Sequence, residues 1–202
     1  MGLLVMILGL ALFFAAHTFT TKREARAQAI ARLGEGTYKI LYALISLAGL
    51  ALIIWGYGQY RTDGMIDVWE RFVSVNVLRG LKHITVALML PAVILVIASY
   101  LRGRIYATLK HPMLAGIKLW AAAHLLANGD LGSIILFGSI LAWAVYDRIS
   151  LKHRKDVVSI GVAGGGRIND IIVVGVGTIL YLALGLVFHP LVIGVPAFSA
   201  PA

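Results

Sequence analysis

The chain has 202 residues, 60% hydrophobic and 13% charged, with net charge +9 and mean hydropathy +0.89. That composition excludes a soluble domain and fits an all-α, multi-pass membrane bundle forming a single domain over 1–202. The absence of cysteine removes disulfides, thiolate nucleophiles, thiolate haem ligands and c-type haem attachment, but not haem held by histidine.

Apolar runs predict six transmembrane helices at about 2–19, 37–57, 80–101, 112–128, 131–146 and 170–192. The first reads as an anchor and not a cleaved signal, because no basic residue precedes it and Lys22, Arg23, Arg26 and Arg32 follow it. Thirteen of the eighteen Lys and Arg residues fall in the first, third and fifth loops; Arg61, Arg71, Arg79 and Lys82 lie on the other side, and Lys118 lies within a span. The positive-inside rule then puts both termini outside. Basic residues scattered through short loops mark topology and make no face for nucleic acid.

Asn128-Gly129-Asp130 predicts a tight turn, which would make the fourth and fifth spans an antiparallel hairpin. Ala123 with Ala127, and Gly129 with Ser133, have the small-xxx-small spacing of close helix packing. The run Ala163-Gly164-Gly165-Gly166 lacks the lysine and the strand of a phosphate loop, and reads as an interhelical linker.

No Asp or Glu falls inside a predicted span; Asp130, Asp147 and Asp170 stand at span ends. Chemistry at membrane depth therefore rests on imidazole, with cationic and amide groups beside it. His83, His124 and His189 share an outer layer under this topology, and His17 and His111 an inner one. His111 and His124 are separated by roughly 20 Å along one helix, on opposite faces, so they cannot share a metal. His111 before Pro112 reads as a helix cap. His124 lies on a stripe Trp120–His124–Asn128, where Asn128 would take the Nδ1 proton and leave Nε2 free to bind a ligand. The alternative is a histidine bonded to a neighbouring helix.

Arg79 stands one turn before His83, with Lys82 adjacent. Haem iron held by His83 and His124 would sit in the apolar layer, with its propionates near Arg79 or Lys82. The plainer alternative makes those cations boundary markers. His17 and His189 read as interfacial anchors, and Lys118 as a snorkelling residue.

These residues resemble the NnrU family of bacterial membrane proteins. The resemblance is carried by His17, Leu33-Gly34-Glu35, Trp55-Gly56-Tyr57, Arg79-Gly80-Leu81-Lys82-His83, the stretch from His111-Pro112 to Asp130, and Leu136-Phe137-Gly138. It is strongest over 3–150. It implies a polytopic protein of the bacterial inner membrane, associated with nitrite and nitric oxide respiration. It also implies kinship with plant 15-cis-zeta-carotene isomerase, which looks to hold b-type haem through histidines. His124 matches a ligand there, and by order His17 could match the other, so two pairings with His124 stand open, His83 and His17. The competing function is a non-catalytic accessory or assembly factor for a membrane respiratory reductase, with no cofactor. An isoprenylcysteine-type methyltransferase ranks last, because only 194–202 follows the final span.

Overall fold

A computed structural model describes residues 1–153 and 166–198. Arg154, Lys155 and most of the glycine run at 163–166 lie outside them. The elements are α1 (Gly2–Thr21), α2 (Arg23–Leu33), α3 (Glu35–Asp63), α4 (Val75–Ala98), α5 (Arg104–Leu109), α6 (Pro112–Ala127), α7 (Leu131–Lys152) and α8 (Gly166–Ala183), which runs on as a π-helix over Leu184–Ile193. A 3₁₀ turn at Trp69–Arg71 precedes α4. All six apolar runs are helical. Among the described residues, five helices are long and apolar enough to cross a membrane; the sixth apolar helix, α6, has 16 residues. Sixteen residues rise about 24 Å, short of the roughly 30 Å hydrocarbon layer.

The chain divides into two compact units. The first comprises Met1–Val68 and Asp130–Ser139. Here α1 and α3 run antiparallel along a glycine seam, with Gly2 against Gly56 and Gly9 against Gly49. A Cβ on Gly9 would lie 2.7 Å from the Ile53 amide nitrogen, so the backbones approach as only glycine permits. The opposite face of α3 exposes Ile40, Leu44, Leu47 and Ile54. Small residues inside and large apolar residues outside invert the order of a soluble protein, because lipid takes the place of water. The chain is a membrane protein. Met6, Leu10 and Ile53 form the buried core, onto which Ile135 and Leu136 of α7 pack. Tyr57, Ser133 and Asp130 pair with one another here. The Tyr57 and Ser133 hydroxyls bond at 2.7 Å, and Asp130 Oδ1 accepts the Ser133 amide at 2.9 Å, capping α7.

The second unit comprises Trp69–Gly129 and the described part of 140–202. Here α4 packs against both α6 and α8. Gly116 lies against the Ala92 carbonyl, and Ala121 and Ala123 are fully buried. Thr85 Oγ1 donates to the Ala123 carbonyl at 2.7 Å, a polar tie between α4 and α6. The small pair expected at Ala123 and Ala127 is thus divided: Ala123 packs, and Ala127 lines a cavity.

The tight turn expected at Asn128-Gly129-Asp130 needs correction, since the chain is extended there. The physical reason lies in the connection. Asn128 is extended (φ −125, ψ 109), and the Gly129 carbonyl accepts the Trp69 amide at 3.2 Å. Gly129 also faces the Trp69 ring with no room for a Cβ. Asp130 pairs as a β-bridge with Asp67. Hydrogen bonds to a distant segment stretch what local sequence reads as a turn.

Candidate functional site

The second unit contains a cleft of about 380 Å³. Its walls come from Thr85, Val86, Met89 and Val93 of α4, Ala127 of α6, Tyr181 of α8 and the returning segment 195–198. Two imidazoles face it, His124 from α6 and His189 from the π-helix, with ring centroids 6.3 Å apart and planes at 36°. Asn128 and Lys82 complete the polar part of the lining.

His124 is oriented by its own helix. A carbonyl only accepts, so the Nδ1–H of His124 donates to the Trp120 carbonyl, at 2.9 Å. The Trp120 ring lies 4.9 Å from the imidazole. This bond leaves Nε2 as the nitrogen with the lone pair. The sequence reading assigned the Nδ1 partner to Asn128. Instead, Asn128 Nδ2 donates to the His124 backbone carbonyl at 2.9 Å. The carbonyl one turn back reaches the ring first, and the side-chain amide is a second donor to a carbonyl that already accepts the Asn128 backbone amide at 2.9 Å.

His189 owes its position to a break in helix geometry. Pro190 has no amide hydrogen, and its ring collides with the carbonyl four residues back, so α-geometry cannot continue through it. The chain widens into the π-helix Leu184–Ile193, which ends at Gly194 with φ +75 and ψ 15. That left-handed step reverses the chain, and Val195 donates its amide to the His189 carbonyl at 3.2 Å. Phe198 then packs over Gly185 and edge-on to Tyr181, at 5.4 Å.

The other histidines lie elsewhere. His83 and Arg79 are exposed on α4 and do not line the cavity. Lys82, Val86, Met89 and Val93 present one face of α4, and His83 is turned from it by about 100°. The second imidazole of the cavity is therefore His189 and not His83. His17 belongs to the first unit. Its Nδ1–H donates to the Phe13 carbonyl at 2.8 Å, and its ring stacks on Phe13 at 3.9 Å with Tyr42 at 5.4 Å. His111 is the N-cap of α6, with Pro112 following at the first helical position, as its sequence context indicates. His153 is exposed near the end of α7.

The sequence placed His189 at the depth of His124 but read it as an anchor. His189-Pro190 inside an apolar run was the missed signal, since proline at that point reshapes a helix. Among the described residues, no group of three or more His, Cys, Asp or Glu could hold a metal ion.

The family model described as NnrU protein matches residues 5–197, which extends through the last span and beyond the stretch where the motifs are strongest. No curated protein and no solved structure matches the chain. The chain belongs to the NnrU family.

Proposed function

We propose that this membrane protein binds b-type haem through His124 and serves nitrite and nitric oxide respiration in the bacterial inner membrane, beside a respiratory reductase. One observation carries the reading: an apolar cavity lined by two imidazoles, His124 and His189, the first oriented by the bond from its Nδ1–H to the Trp120 carbonyl.

The donor set fits a macrocycle better than a bare ion. Structural zinc takes four protein ligands and catalytic zinc three, and no such group occurs among the described residues. Haem brings four nitrogens of its own and asks the protein for one or two. Neutral imidazole needs no compensating buried charge, which suits apolar helices. Lys82 is the cation on the lining that can meet a propionate. Arg79, exposed and off the lining, is not placed for that contact. Bound haem supplies a one-electron couple whose potential follows its axial ligands. The residues of the chain hold it and orient it.

Membership of the NnrU family supports the link to nitrite and nitric oxide reduction. The test is a visible spectrum of the full chain, purified after expression with haem supplied. A Soret band with reducible α and β bands is expected. A colourless protein that still supports reductase activity in cells would replace this reading with the accessory-factor one. Reporter fusions after Arg26 and Arg104 are expected on the cytoplasmic side, from the distribution of basic residues.

A further inference from the structure

We infer that His189 is the second axial ligand, opposite His124, so that the iron is closed to external ligands at rest. The inference rests on the haem reading above and deepens it.

Three independent features meet at His189. The first is separation. Metal–imidazole bonds run about 2.0–2.1 Å, and an imidazole centre lies ~1.1 Å behind its nitrogen, so rings on opposite sides of one iron stand roughly 6 Å apart. The His124 and His189 centroids are 6.3 Å apart, and both rings line the cavity. Closer rings would stack and leave no gap; more distant ones could not both bind. The second is backbone design. A ten-residue π-helix is an unusual and locally weaker hydrogen-bonding arrangement, and such distortions gather at functional sites. Here it carries His189 and delivers it to the cavity. The third is the return of the chain. Gly194 turns the chain back, and Phe198 packs against Gly185 and Tyr181 beside the cavity that His189 lines.

Neither sequence-level partner for His124 has these features. His83 is exposed and off the lining. His17 is stacked on Phe13 and is not on the cavity lining.

The test uses the full chain in detergent, loaded with haem b. Wild type is expected to be six-coordinate and low-spin in both oxidation states, and its reduced form to ignore carbon monoxide. His189→Ala should convert the iron to high-spin, open it to carbon monoxide, and regain the low-spin spectrum when free imidazole is added. His189→Met retains a ligand and the bulk, and should shift the reduction potential upward, since methionine in place of histidine favours the reduced state. His83→Ala and His17→Ala should leave all three readings unchanged. A low-spin, carbon-monoxide-insensitive His189→Ala protein overturns the inference while the haem reading stands. So does conversion by His83→Ala or His17→Ala. If His189→Ala does not fold, an unmoved potential in His189→Met overturns it equally. A wild type that takes up no haem overturns the haem reading and this inference together.

Discussion

His17 and His124 make the same local bond in different company. Each lies in an apolar helix and donates Nδ1–H to the carbonyl four residues back, at 2.8 and 2.9 Å. His17 is then filled in by aromatics, with Phe13 stacked at 3.9 Å and Tyr42 at 5.4 Å. His124 faces a cavity and a second imidazole. The helix sets the tautomer in both cases. What the neighbouring elements supply decides whether an imidazole packs or is left to ligate. The two units differ in the same way: one closes a glycine seam between α1 and α3, and the other keeps a space between α4, α6 and the π-helix.

Exchanging the fates of these two histidines gives the largest expected effect. His124→Ala should abolish haem retention, measured as the ratio of Soret to protein absorbance. His17→Ala should keep the haem and lose the aromatic contact and the bond to the Phe13 carbonyl, about 1–3 kcal/mol together, read from thermal denaturation. Equal haem loss in the two variants would erase the distinction between them.

The seam ranks next. Gly49→Leu drives a side chain into the Phe13 backbone, since even a Cβ would lie 2.8 Å from its amide nitrogen. Backbone cannot yield as a flexible side chain can, so the loss should reach or exceed the roughly 1–3 kcal/mol of core overpacking. Gly58→Leu, where a Cβ meets nothing within 4 Å, is the control in the same helix and should be tolerated. A midpoint lowered equally by both would mean that the seam does not hold α1 to α3.

Much of this architecture was legible because it is local. Hydropathy alone located all six apolar helices, and of the i, i+4 stripe Trp120–His124–Asn128 the last two residues lie on the cavity lining. The glycine seam was not legible, because Gly2, Gly9, Gly49 and Gly56 acquire meaning only once α1 and α3 are paired. The extended path at Asn128–Asp130 depends on the segment around Asp67 and Trp69, far away in sequence. Depth along a span is legible in sequence, and rotation about the helix axis relative to a neighbour is not. One residue's difference from Lys82 turns His83 off the cavity, and a proline-induced π-helix brings His189 onto it.

A smaller effect tests pairing in the first unit. Tyr57→Phe removes a hydroxyl bonded to Ser133 Oγ at 2.7 Å and leaves the serine at a fully buried site. A loss of about 1–3 kcal/mol is expected for a buried polar group left without this partner. The double variant Tyr57→Phe, Ser133→Ala should recover part of it. A double variant no more stable than Tyr57→Phe alone would show that the pair contributes little.

The smallest effect separates two ways of orienting His124. If Asn128 held the ring, its removal would free the imidazole to change tautomer. Its amide instead donates to the His124 backbone carbonyl, at 2.9 Å, and the ring is held by the Trp120 carbonyl. Asn128→Ala therefore strips a bond from the end of α6 and should cost only about 0.5–1.5 kcal/mol. Trp120→Phe changes a ring and keeps the carbonyl. Neither substitution should alter the tautomer, because no side chain deletion reaches a backbone acceptor. Nitrogen-15 shifts of selectively labelled histidine report it directly, with Nδ1 protonated in wild type and in both variants. A move of the proton to Nε2 in Asn128→Ala would transfer the orienting role back to Asn128, and would mean that backbone geometry alone does not prepare His124 to bind.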